Sequence, residues 1–210
     1  EDSEVNETNG CPHGRAPQTH HNQGNAPKQR SQHLYSPPRL VDVVNEPLHN
    51  SPSYKNAIGG DGSTGWDWVI WCFTKARQYC SGKLLINEYG TESSSSETDR
   101  YINIINLLKD RSLIDGIGIQ CQGLENVYAD IIKFNLDKLA TTGLPIYISE
   151  YNVNKANDTE QLNIYEMQFP VFLEHPAIQG MTLWGYVQGE TSKTNAYLLR
   201  SDGSERPALT

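Results

Sequence analysis

Five times between Leu40 and Tyr186 a short apolar run finishes in polar or aromatic residues. The five are "VDVVNEP" (41–47), "KLLINEYG" (83–90), "DGIGIQCQG" (115–123), "LPIYISEYN" (144–152) and "GMTLWGY" (180–186). Between them lie four longer stretches with apolar residues at helical spacing. Strand alternating with helix in this way predicts βαβ units and a parallel sheet, because parallel neighbours need a crossover. No short repeat or coiled-coil heptad competes with that pattern. The run Leu40–Val44 lacks alternation and reads as a strand covered on both faces. Pro47 cannot extend a ladder and stops it.

The helical stretches carry their own signals. "TGWDWVIWCFTKARQY" (64–79) predicts a helix with Trp66, Val69, Ile70 and Phe73 facing inward, and Trp66, Trp68 and Trp71 packing it on the sheet. "SETDRYINIINLLKDR" (96–111) places Tyr101, Ile104, Ile105 and Leu108 on one face, with Ser96 as its expected cap and Asp99 reaching back. "NVYADIIKFNLDKLATTG" (126–143) predicts a helix ended by Gly143, and a fourth runs from about Thr159 to Glu174 with a bend expected at Pro170. The glycines of the third strand predict close packing against its neighbours.

In such a sheet the strands' carboxyl ends lie on one rim, where ligands bind. That rim would gather Asn45 and Glu46, Asn87, Glu88 and Tyr89, Gln120, Cys121 and Gln122, Glu150 and Tyr151, and Trp184. Singly, Glu46 or Glu150 fits an ordinary ion-paired carboxylate, and Asn-Glu before Pro also suits a plain turn. Two carboxylates across one rim are what glycoside hydrolysis needs, one as acid and base, the other attacking the sugar carbon. Glu88, beside Tyr89, reads as a hydrogen-bonding neighbour of the site. Lys193 reads as a solvated rim side chain.

Composition narrows the partners. The net charge of −8 argues against nucleic acid or an anionic membrane, and leaves a neutral polysaccharide open. No apolar run is long enough to span a bilayer, and no secretory signal peptide opens the chain. Four cysteines are too few for a disulfide scaffold. Cys72 and Cys80 would stand about 12 Å apart on a continuous helix. A disulfide requires less than roughly 7 Å, so both are expected reduced. Residues 1–39 differ from the rest. Their apolar residues are Val5, Cys11, Ala16, Ala26, Leu34 and Tyr35, too few to offset the entropy of ordering. His13, His20, His21 and His33 gather there near Cys11 without a metal-site spacing, so no metal is expected and an irregular polar segment is.

The ordered series "VDVVNEP", "LLINEYG", "GIGIQ", "YISEYN", "GMTLWGY" and "LLRSDGSERPAL" resembles the family 10 glycoside hydrolases, chiefly endo-β-1,4-xylanases, from Leu40 to Thr210. The resemblance implies a (β/α)8 barrel of TIM type, of which strands four to eight are recognisable here. It also implies hydrolysis of xylan or xylo-oligosaccharides with retention, no cofactor, and secretion. By resemblance Glu46 is the acid/base and Glu150 the nucleophile. Asn45 would bind the sugar 2-hydroxyl, Tyr89, Gln120 and Gln122 would line the subsite, and Trp184 would form a platform under a ring. Retention would put the two carboxyl groups about 5 to 5.5 Å apart.

The chain departs from the family at Gln122, usually a histidine beside the nucleophile, and at Ser192, where a tryptophan is expected. A full barrel takes about 250 residues, and residues 1–39 offer no clear counterpart of its first three strands. These departures imply impaired turnover. Two alternatives stay open: a sugar-binding remnant without turnover, and a related β-glucanase.

Overall fold

The computed structural model describes residues 39–210. Five strands form one parallel sheet in chain order: β1 (Leu40–Asn45), β2 (Lys83–Glu88), β3 (Gly116–Ile119), β4 (Ile146–Tyr151) and β5 (Ile178–Leu183). Each of the first four strands is followed by a helix that returns the chain to the next: α1 (Asp67–Tyr79), α2 (Ser95–Lys109), α3 (Ala129–Ala140) and α4 (Asp158–Glu174). The expected alternation is therefore present, with sequential strands adjacent throughout.

One core lies between the sheet and its helices. Val69 and Phe73 of α1, Ile104, Ile105 and Leu108 of α2, and Ile132, Leu136 and Leu139 of α3 are fully buried against Leu84, Ile86, Ile117 and Ile119. Gly116 and Gly118 lie on the other face of β3, where Leu85 and Asn87 of β2 leave no room for a side chain. A Cβ on Gly116 would stand 2.7 Å from Leu85 Cδ2, and one on Gly118 2.7 Å from Asn87 Oδ1. Tyr101 is also buried, and its hydroxyl lies 2.9 Å from Ile86 O and 2.8 Å from Gly118 O, tying α2 to two strands.

Three expectations need correction. β1 is not covered on both faces, since Leu40, Asp42 and Asn45 are exposed while Val44 is buried. It pairs only with β2 among the described residues, and its register slips between Asp42 and Val44. Leu40 and Asp42 line a cavity of about 370 Å³ on the inner wall of the sheet, with Leu85, Tyr147, Ile148 and Met181.

The second correction concerns the tryptophans of α1. Trp68 is buried and Trp66 partly buried against the core, but Trp71 is exposed beneath Lys75, whose Nζ lies 5.8 Å from its ring. Two residues past the buried Val69, Trp71 is turned about 200° around the helix, away from the sheet.

The third is the cap of α2. Ser94, rather than Ser96, accepts the Glu97 N–H at 3.4 Å, and the helix begins at Ser95. α4 is capped by Asn157, which accepts from Glu160 N at 3.0 Å, and it continues through Pro170 to Glu174. Cys72, Cys80 and Cys121 are free thiols. The stretch with His13, His20, His21 and His33 lies outside the described residues.

The segment after β5 is fastened by a buried arginine. Arg206 donates from Nε to Asp158 Oδ1 at 2.7 Å, from Nη1 to Asn195 O at 2.9 Å and from Nη2 to Lys155 O at 2.8 Å. Its guanidinium also lies over the Tyr197 ring at 4.9 Å. One side chain thereby joins the start of α4 to the loop beyond β5.

Candidate active site

β1 ends in an abrupt reversal. Glu46 adopts φ 56, a left-handed conformation that costs a β-carbon-bearing residue energy and that concentrates at functional positions. Its N–H donates to Asn87 O at 2.8 Å, and its carbonyl accepts from His49 N and Asn50 N at 3.1 and 2.7 Å. The backbone is thus locked while the side chain projects from the rim. Gln120 Nε2 donates to Glu46 Oε1 at 2.7 Å, and Asn50 Nδ2 donates to Oε2.

Asn45 beside it is held by one atom. Its Oδ1 accepts from Asn87 Nδ2 at 2.9 Å and from Gln120 Nε2 at 3.3 Å. With the oxygen occupied, the amide nitrogen is the end left to donate to a ligand hydroxyl.

Glu150 projects from β4 towards the same neighbours. Gln122 Nε2 donates to Oε2 at 2.6 Å and Asn87 Nδ2 to Oε1 at 3.3 Å. Burial lifts the Glu150 carboxyl above its ordinary value, the two amide bonds pull it back, and the Glu46 charge pushes it up again. Asn87 is 2% exposed and reaches both sides of the site, while Ser149 Oγ donates to its Oδ1 at 2.8 Å. The missing side chain of Gly118 leaves room for that amide. Sequence reading placed Asn87 on the rim without giving it this bridging part.

Glu88 is fully buried and accepts from Leu48 N at 2.7 Å, Tyr89 N at 2.9 Å and His49 Nδ1 at 2.9 Å. It supports the turn rather than facing the rim. The His49 ring in turn stacks on Tyr89, centroids 4.0 Å apart. Neither His49 nor Asn50 stood out in the sequence, although both lie within three residues of "NEP". Their signal was position alone.

Trp184 follows β5, half exposed, with its N–H on Tyr151 O at 3.0 Å. Tyr186 is equally exposed and was not anticipated. Gly185 between them has φ 63, and a Cβ there would lie 2.4 Å from Thr191 Cγ2, so the loop bearing Ser192 packs down on it. Ser192 and Lys193 are both exposed. Among the described residues no three His, Cys, Asp or Glu gather to hold a metal ion, and no helix is long and apolar enough to cross a membrane.

The arrangement is a strand-end rim with two carboxylates, each held by a glutamine amide, and with the Asn87 amide shared between Asn45 and Glu150. The sequence model of glycosyl hydrolase family 10 matches residues 29–210. The chain belongs to that family, and its strands and helices are consecutive units of the (β/α)8 barrel. Endo-1,4-beta-xylanase B of Cellvibrio japonicus is 36% identical over 179 residues, covering 84% of this chain and 28% of that protein. An intracellular xylanase from Thermoanaerobacterium saccharolyticum, solved as a mutant with xylotetraose, superposes with TM-score 0.69 at 29% identity. The match covers 80% of this chain and 55% of that one. Native xylanase 10B from Thermotoga maritima shares the fold at TM-score 0.66 and 23% identity, over 81% of this chain and 57% of its own. The chain therefore spans little more than half of these solved structures, and less of the Cellvibrio protein.

Proposed function

We propose that this chain carries the catalytic rim of a retaining endo-β-1,4-xylanase. Glu46 would protonate the glycosidic oxygen while Glu150 attacks the anomeric carbon and forms a glycosyl ester. Glu46, now ionised, would take a proton from the water that hydrolyses the ester. The Asn45 amide would donate to the sugar 2-hydroxyl, Tyr89 and Gln120 would line the subsite, and Trp184 would carry a ring. The observation that carries this reading is the shared Asn87 amide, which binds Asn45 and Glu150 together. The relatives are xylanases, one of them with xylotetraose bound, which supports the substrate class. Gln122 and Ser192, where the resemblance leads one to expect a histidine and a tryptophan, would slow this turnover.

The test pairs two variants on xylan and on an aryl xylobioside. Glu150→Gln should lose both activities, because an amide forms no glycosyl ester. Glu46→Ala should lose xylan hydrolysis but keep the first step on the activated substrate, with azide restoring the second. Equal loss on both substrates without an azide effect would refute the acid/base assignment. Proton NMR of the first product should show the β-anomer; the α-anomer would mean inversion. Xylan binding without release of reducing ends would favour a sugar-binding remnant, and release from β-glucan alone would favour a glucanase.

A further inference from the structure

Tyr89 at the rim is backed by a second ring that the reaction above does not use. The His49 imidazole lies against it with centroids 4.0 Å apart and planes 22° from parallel. Tyr89 is partly exposed and has no other aromatic partner among the described residues. A partly exposed tyrosine has two torsions to fix, and a stacked neighbour favours one placement of its ring.

The imidazole is itself clamped at both nitrogens. Nδ1 lies 2.9 Å from Glu88 Oε1, and Nε2 lies 3.7 Å from Glu97 Oε2 in the first turn of α2. Glu97 is paired in turn with Arg100, whose Nη1 donates to its two oxygens at 2.8 and 2.9 Å. Glu88 is the firmer anchor. It is fully buried and also accepts from Leu48 N at 2.7 Å and Tyr89 N at 2.9 Å. These two backbone donors favour its ionised form, which can only accept, so Nδ1 carries the hydrogen of the His49 bond. Glu88 Oε1 thereby holds both the Tyr89 main chain and the ring that backs the Tyr89 side chain.

The same turn carries Glu46. His49 N donates to Glu46 O at 3.1 Å, so the backing ring and the acid/base candidate share one frame.

We propose that His49 is a positioning residue: Glu88 fixes its ring, and that ring fixes the Tyr89 phenol as one wall of the sugar subsite. A wall already in place costs an incoming sugar no ordering of that side chain. The consequence for sugar binding rests on the reading of Tyr89 given above. The placement of the phenol does not.

Two variants separate the ring from the bond. His49→Asn keeps an amide N–H near the place of Nδ1 but has no ring, whereas His49→Phe keeps a ring that cannot donate to Glu88. Proton NMR of the whole chain reads the Tyr89 ring protons, which a stacked imidazole displaces from their ordinary positions. In the parent these protons should be displaced and show nuclear Overhauser contacts to the His49 ring, whose Nδ1 should resonate as protonated. The displacement should vanish in His49→Asn and persist in His49→Phe.

Xylotriose titrated into the same samples reads the consequence without requiring turnover. It should bind His49→Asn about three- to tenfold more weakly than the parent, and His49→Phe should lose less. A role confined to satisfying Glu88 predicts the opposite order. Unchanged affinity in His49→Asn, or a loss in His49→Phe as large or larger, would overturn the proposal. So would Tyr89 protons that ignore the loss of the ring, or a parent without the Overhauser contacts. The parent spectrum needs no variant, so it decides even where neither substitution folds. A parent that binds no xylotriose would count against the xylanase reading, and the Tyr89 protons would still decide the role of His49.

Discussion

Gln122 grips Glu150 with one amide hydrogen at 2.6 Å, while its own oxygen has no partner among the described residues. Nothing on the far side of that amide prevents it from rotating. A histidine at this position would be held more rigidly, since its ring turns as one body and its second nitrogen can be anchored separately. Because the amide already donates, replacing it gains orientation rather than a new bond. Gln122→His should therefore raise turnover of xylotriose, by less than about tenfold, at fixed pH. Gln122→Ala removes a charge-assisted bond worth about 1.5 to 3 kcal/mol and should lower turnover about ten- to a hundredfold. An alanine variant as fast as the parent would show that this contact does not act in the transition state.

At the scale of elements, the caps decide where helices begin. Ser94→Ala should cost about 1 kcal/mol in urea unfolding, since it strips the Glu97 N–H of its acceptor. Ser96→Ala should stay within about 0.5 kcal/mol, as for an exposed side chain without a capping role. The reverse order would return the cap to Ser96. The run of serines from Ser93 to Ser96 explains why sequence alone misplaced it: four equivalent candidates differ only in which one the preceding turn brings into extended backbone. The strands were legible because each apolar run stops at residues that cannot continue a core. The single exposed face of β1 was not, because a run of valines looks alike on an edge and in the middle of a sheet. Glu46 and Glu150 were recognisable as rim carboxylates from the strand ends they occupy. Asn87, His49 and Asn50 were not, since their parts arise from contacts between distant strands or from a backbone reversal that composition does not record.

On the scale of the whole molecule, the parallel sheet ends on both sides in a strand with one neighbour, β1 and β5, among the described residues. The far side of β5 is steadied by Arg206, whose charge is 1% exposed yet fully engaged. Arg206→Ala should destabilise the fold by about 3 kcal/mol, the lower end for a broken buried pair, because Asp158 keeps Arg200 at 2.5 Å and some solvent. Arg206→Lys should recover little, since an ammonium cannot span Asp158, Asn195 and Lys155 together. Urea midpoints of the two variants check both claims, and a lysine variant as stable as the parent would show that the fork geometry is immaterial. The arginine also carries a timing constraint. A ribosome delivers β1 to β5 and all four long helices before it adds residue 206. Until then the carbonyls of Lys155 and Asn195 are without the donor that later joins them. The sheet can therefore assemble before its final turn is latched, and the corner between α4 and the loop beyond β5 is the last to close.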